Sequence, residues 1–424
     1  MVDFEAIREE FPILNQRIHG HPLVYLDSAA TSQKPQCVID AESEFYRTIN
    51  AGVHRGAHEL AARSTTAFEE ARAKVARLVG ANYEEGREEV VVTAGATAGL
   101  NLLATAFGNA SLGRGGEAAK RFALGPGDEI VVSEAEHHSV LLPFQELAAR
   151  TGATFKWIGL TEDGRVRTDN LDEVITERTK VVAVTHVGNT TGAITDIAPI
   201  IRRTHEVGGV FVLDACQSVP HLKVDFHALD VDFAAWSAHK MYGPTGVGFL
   251  YGRRELLEAL PPASFGGSMV ELAWMDKPAQ YMEPPARFEA GTQPVAQVVA
   301  AGVAAEWLMN IGMENLEAHE RTIAAELLKL GDIDGIRILG PNENENRIGT
   351  VAFDVKGVHP HDVGQFIDAQ GIAIRVGHHC AQPVHRHFGL FASNRASSGI
   401  YNSVDDAKAL IEAASRVRAF FKAE

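Results

Sequence analysis

Cysteine is scarce in this sequence: three among 424 residues, at positions 37, 216 and 380. An odd number so widely spaced excludes a disulfide framework and points to a reducing compartment. Positive charge is also in short supply, since 39 Lys and Arg stand against 55 Asp and Glu for a net charge of −16. Binding to a phosphate backbone depends on clustered cations, so no nucleic-acid partner is expected. No stretch approaches the run of about 18 apolar residues that a membrane span needs. The opening MVDFEAIREEFPIL reads as an acidic amphipathic helix with neither signal nor transit character. The expected location is therefore cytoplasmic, without a membrane partner.

What is present reads as a globular α/β protein. At this length one large and one smaller domain are expected. Short apolar, β-branched runs at 88–93, 128–133, 179–186, 209–214, 231–236 and 246–251 predict strands, with helical patterns between them at 97–107, 138–150 and 196–207. Near-continuous apolar strands alternating with helices imply a mostly parallel sheet buried on both faces. A Pro- and Gly-bearing stretch at 262–294 breaks the pattern. Helices at 295–310 and 313–330 follow, then a strand–helix–strand unit (348–354, 360–370, 372–376) and a last helix at 403–422. The expected division is a large domain, 20–294, and a smaller α+β domain, 295–424, joined by residues 1–19. Residues 107–127 read as a surface insertion. Within them Gly113–Ala118 matches the dinucleotide fingerprint by letter, but no strand precedes it, so it reads as a loop.

Ligands in such sheets sit beyond the carboxyl ends of the strands. There the sequence places FVLDACQS, with Asp214, and WSAHKMYGPTGVGF, with Lys240 between Ser237, His239 and a Gly-rich turn. A lysine that forms a Schiff base and an acid that faces a pyridinium nitrogen are the pair pyridoxal phosphate requires. TAGATAGLNLLA (93–104) adds a Gly-rich turn and Thr97 at a helix N-terminus, where free N–H groups and the dipole favour a phosphate.

With these pieces in chain order, the sequence resembles pyridoxal-phosphate (PLP) enzymes of fold type I, the aspartate aminotransferase fold. Within the class V aminotransferase family it is most similar to the group II, SufS-type cysteine desulfurases of the SUF pathway. The resemblance runs from YLDSAAT (25–31) through VHRGAH, EHHSVLLPFQ, HVGNTTG and RFEAGT to RVGHHCA (375–381) and NRASSGIYN. Small departures at Ala96, Ala98, Gly188 and in ASSGIYN touch single contacts. The resemblance implies conversion of L-cysteine to L-alanine, a persulfide on Cys380 and sulfur supply to iron–sulfur cluster assembly. It makes Lys240 the lysine that bonds the cofactor aldehyde, Asp214 the partner of the ring nitrogen, and His137 a ring-stacking catalytic residue. Asn189 and Gln217 would hold the phenolic-oxygen side of the ring, while Thr97, Ser237 and His239 bind the phosphate with Thr292 arriving from the second subunit of a homodimer. Arg395 would clamp the substrate carboxylate, with Arg55, Arg375 and Asn189 near the substrate. His138 and His379 read as packing residues. His361, nineteen positions before Cys380, would engage the zinc of a SufU-type sulfur acceptor, although its place at a helix start is equally a plain surface position. A selenocysteine lyase, a PLP aminotransferase or epimerase, and an inactive scaffold remain alternatives.

For Cys380 itself, three consecutive residues HHC point in different directions and converge poorly on one tetrahedral ion, and no CxxC or HxxxH accompanies them. Cys37 and Cys216 read as ordinary core thiols. Cys380 is flanked by Arg375, His378 and His379, the kind of surroundings that activate a thiol, and Gly377 permits a tight turn. It reads as a nucleophile.

Overall fold

The computed structural model describes residues 2–423. Its centre is a seven-stranded sheet made of β1 (Val90–Thr93), β2 (Glu129–Ser133), β3 (Thr154–Ile158), β4 (Thr179–Thr185), β5 (Val210–Asp214), β6 (Phe233–Ser237) and β7 (Gly248–Gly252). The spatial order is β1-β7-β6-β5-β4-β2-β3. Strands β3, β2, β4, β5 and β6 run parallel, and β7 is antiparallel to both β6 and β1. Alternate residues feed two cores. Val182, Val184, Phe211, Leu213 and Trp236 face one; Val181, Ala183, Val210, Val212 and Ala235 face the other. This two-sided burial is why the strands read as unbroken apolar runs.

The principal helices are α1 (Phe4–Glu9), α2 (Gln36–Thr48), α3 (Glu59–Leu78), α4 (Ala96–Ser111), α5 (His138–Thr151), α6 (Ile197–Glu206), α7 (Val295–Ile311), α8 (Met313–Leu327), α9 (Pro360–Asp368) and α10 (Val404–Phe421). Helices α4 and α5 cover one sheet face through Leu100, Leu103, Phe144 and Leu147. Helices α3, α6 and α7 cover the other through Phe68, Val75, Ile200 and Val298. A second sheet, β8 (Ile336–Leu339), β9 (Thr350–Val355), β10 (Arg375–Gly377) and β11 (Ser393–Ser397), has the order β8-β9-β11-β10. It shares a core with Val363 of α9 and Leu410 and Val417 of α10. Helix α7, just after residue 294, packs into the large core, whereas α8 enters it with Leu316 and the small core with Ile323 and Leu327. The N-terminal stretch is stitched to the small sheet: Val24–Tyr25 pairs with Ile372–Ala373, and Asp27 bridges to Ser397.

Three expectations need revision. Strand β3 was not anticipated, because this edge strand is half exposed and lacks an apolar run. The expected strand 372–376 is two short strands in different sheets. Residues 107–127 are not simply a surface insertion: α4 continues to Ser111, and Phe122 is buried and stacks on Phe107. The glycines at 113 and 115 do lie in a loop, with φ of 78° and 84°.

Candidate active site

The carboxyl ends of β4, β5 and β6 open into a cleft of about 220 Å³ that contains Asp214, Lys240, Cys380 and Arg395 together. Each side chain arrives on an element whose end the sequence dictates. Asp214 is the last residue of β5; it is buried, and its Oδ1 accepts the Cys216 N–H at 2.9 Å. Lys240 closes a one-turn 3-10 helix, Ala238–Lys240, directly after β6. Ser237 ends β6 and its Oγ accepts the Ala96 N–H at 2.8 Å, tying the strand end to the start of α4.

The N-cap residue of α4, Gly95, offers no capping side chain, and Ser237 takes only the Ala96 N–H. Gly95 holds φ 145°, a conformation open to glycine, and a Cβ on Gly248 would lie 2.5 Å from the Gly95 Cα. Two bare backbones therefore pack together at the mouth of the cleft. The remaining N–H groups of the first turn favour an anion. Thr97 stands beside them, its Oγ1 2.7 Å from Ser139 Oγ. His239 lies across the cleft with Nδ1 3.2 Å from Thr31 Oγ1. Burial first, then Lys240, holds its imidazole down to about 4.

His137 caps α5, its Nδ1 accepting the Ser139 N–H at 3.1 Å. Burial and then Lys240 push this imidazole down to about 4, so it is neutral near pH 7 and carries its one proton on Nε2. Beneath it, burial raises the Glu136 carboxyl to about 8, with Asp214 adding to the rise. Gln217 donates through Nε2 to the Ala29 carbonyl at 3.0 Å, which leaves its buried Oε1 without a partner. Asn189 donates to the His379 carbonyl at 2.7 Å.

Arg395 enters from β11, 2% exposed. It donates to the Asn189 carbonyl at 3.0 Å and to Asp27 Oδ1 at 3.3 Å, and its Nε has no partner. Arg375 on β10 lies 3.7 Å from the other Asp27 oxygen. Sequence reasoning passed over Asp27, whose pairing with residues near the far end of the chain leaves no local signal. It also passed over Ser139, which links His137 to Thr97.

Cys380 is exposed at the cleft edge. His379 and Cys380 both hold left-handed backbone, at φ 51° and 54°. The His138 N–H donates to the Cys380 carbonyl at 2.8 Å, and His138 Nε2 accepts the Gln382 N–H at 3.3 Å. On the far side of Cys380 a second hollow of about 500 Å³ runs along α4 and α5.

Three of the expected residues lie outside the cleft. Thr292 is exposed and lines a separate hollow with Asn101 and Thr105. Arg55 donates to the Val270 carbonyl at 3.2 Å. His361 is exposed in the first turn of α9. Among the described residues, no cluster of His, Cys, Asp and Glu suits a metal ion.

The chemistry of the cleft fits pyridoxal phosphate: a lysine, a buried carboxylate at a strand end, an orphaned amide oxygen and a largely uncapped helix N-terminus flanked by hydroxyls. Fold and site together define a PLP-dependent enzyme of fold type I. The family model described as aminotransferase class-V matches residues 24–410, and the chain belongs to that family. It is 49% identical to a probable cysteine desulfurase 2 of Mycobacterium leprae, over 100% of this chain and 98% of the relative. It is 47% identical to a probable cysteine desulfurase of Streptomyces coelicolor, over 99% and 98%. The solved structure of the Escherichia coli cysteine desulfurase CsdA, in its S-sulfonic acid form, superposes with a TM-score of 0.87 at 36% identity, covering 99% of each chain.

Proposed function

We propose that the protein is a cysteine desulfurase that converts L-cysteine to L-alanine and takes the sulfur onto Cys380 as a persulfide. The observation that carries this reading is the meeting of the Cys380 thiol with Lys240, Asp214 and Arg395 in one cleft, since transamination has no use for the thiol. Asp214 would pair with the ring nitrogen, and Gln217 would lie on the phenolic-oxygen side of the bound group. Thr97, Ser237, His239 and the first turn of α4 would hold the phosphate. When bound, pyridoxal phosphate supplies the electron sink that makes the substrate Cα proton labile.

The guanidinium of Arg395 grips the substrate carboxylate through parallel N–H donors. Lys240 takes the Cα proton at Nζ. His137, neutral and protonated on Nε2, would lie against the ring with a proton available at Nε2. The Cys380 thiolate attacks the substrate Sγ; an S–S bond forms and the Cβ–Sγ bond breaks. The electron pair of the broken bond stays with the three-carbon fragment, which leaves as alanine after protonation at Cβ and return of a proton from Lys240 Nζ to Cα.

The RVGHHCA signature supports assignment to the group II, SufS-type branch working in the cytoplasm for iron–sulfur cluster assembly. A homodimer with Thr292 reaching the neighbouring phosphate site and a zinc-containing SufU-type acceptor meeting His361 complete the reading. Thr292 lies outside the cleft of its own chain, and that supports completion in trans. Incubation with L-cysteine and a reductant tests the function: equimolar alanine and sulfide are expected, and keto acid without sulfide would mark an aminotransferase.

A further inference from the structure

Behind the Cys380 turn lies a chain of three buried side chains, His379, Ser393 and His385. His379 Nε2 and His385 Nε2 lie 3.0 and 2.9 Å from the same atom, Ser393 Oγ. His385 Nδ1 lies 3.1 Å from the Ala381 carbonyl. A carbonyl can only accept, so His385 Nδ1 carries the proton. Burial lowers the His385 imidazole below its ordinary range, which keeps it neutral and leaves Nε2 a bare acceptor. The single hydroxyl proton of Ser393 goes there, so Ser393 Oγ accepts from the His379 Nε2–H. Burial, then Arg395, pushes His379 down to about 2, so it too is neutral and has spent its one proton. Its Nδ1 is consequently bare, which agrees with a buried Nδ1 that meets no donor. The reverse tautomer would bury an unmet N–H and set an Nε2 lone pair against a hydroxyl whose proton is already committed.

We propose that Ser393 and His385 are positioning residues for the nucleophile: they fix the tautomer and orientation of His379 and so hold the left-handed turn that presents Cys380. Two consecutive non-glycine residues at positive φ persist only where their surroundings over-determine them. The outer side of the turn is gripped on its carbonyls by Asn189 and by the His138 N–H. The inner side is gripped through the His379 ring by β11 and by the helix that follows the turn, Gln382–His387. Ser393 lies opposite Gly377 in the β10–β11 pairing, so the anchor is built into the strand that leads into the turn.

This inference rests on Cys380 as the nucleophile, and its tests separate the two. Long-range ¹⁵N NMR of histidine-labelled holoenzyme at neutral pH, assigned by single variants, should find His379 protonated on Nε2 and His385 on Nδ1; the opposite tautomer at either overturns the proposal. Ser393→Ala should lower kcat for alanine formation about tenfold with KM for L-cysteine and PLP loading unchanged, because misplacement of one reacting atom acts on the chemical step. Ser393→Thr, which keeps the hydroxyl, should restore most of the rate. In a crystal structure of Ser393→Ala, residues 379 and 380 should leave the left-handed region; an undisturbed turn with wild-type kcat sinks the idea. If Ser393→Ala does not fold, His385→Phe removes both ring nitrogens at similar volume and faces the same criteria. A wild-type enzyme that makes no alanine would refute the desulfurase reading while the NMR and crystallographic results still judge the anchor.

Discussion

Cys380 shares the cleft with a second thiol, Cys216, and the two differ in every relevant respect. Cys216 is buried, and burial followed by Asp214 pushes its thiol far above the usual range, so it stays protonated. Cys380 is exposed at the cleft edge. Cys380→Ala should therefore keep its PLP absorbance and its response to L-cysteine while losing nearly all sulfide release. Sulfide at wild-type rate would move the nucleophile to Cys216. A second prediction concerns His186, buried at the end of β4 with an unpartnered Nδ1 and held by burial down to about 4. The unfolded chain takes up this proton near 6.5 and the folded chain only near 4, so the stability His186 contributes is present above 6.5 and is lost as pH falls toward 4. His186→Gln should flatten the fall of the urea midpoint over that window. Glu136 works in the opposite sense, losing stability as pH rises toward about 8, but it is common to both proteins and cancels in the difference. An identical pH slope in variant and wild type would remove His186 from this role.

At the scale of elements, the strand-end residues were legible because each lies at or just beyond the end of an apolar strand: Asp214 closing β5, Ser237 through Lys240 at the end of β6, Thr97 in the first turn of α4 after β1. Periodicity sees such places. Asp27 and the His379–Ser393–His385 chain were illegible because their meaning lies in partners set by the pairing of β9, β10 and β11. Two elements carry predictions. The segment bearing Thr292 is anchored by Glu289, which accepts the Val92 N–H at 2.7 Å and pairs with Arg72 in a buried bridge also joined by Glu69. Removing Glu289 leaves the buried Arg72 with the Glu69 carboxylate alone and the buried Val92 N–H without an acceptor, so Glu289→Ala should cost about 1–3 kcal/mol in chemical unfolding. A loss under 1 kcal/mol, the range of an exposed pair, would contradict this. Helix α9 offers the exposed His361, and the His361 N–H donates to His359 Nδ1 at 3.2 Å. His361→Ala should keep slow turnover with a small reductant but lose most activation by a zinc-bearing acceptor. Equal activation would return His361 to a plain helix start.

The whole molecule carries the remaining expectation. A phosphate needs more donors than one helix start supplies, and Thr292 lies in a hollow that shares Asn101 and Thr105 with the groove beside Cys380. The protein should thus sediment as a dimer at micromolar concentration, and Thr292→Ala should weaken PLP retention. Full activity in a monomer would refute this. The contact between Asp27 and Arg395 has one more consequence, which concerns time. The two residues lie 368 positions apart, and Arg8 reaches still further, to Asp406, over 398. A chain emerging from the ribosome at about 5–20 residues per second can close its large sheet long before either partner has been made. Until then Asp27 waits without its arginines, and the small core that α8 and α10 share is incomplete. The cleft is thus withheld from every nascent chain until residue 395 has been added, because Asp27 and Arg395 cannot meet before then.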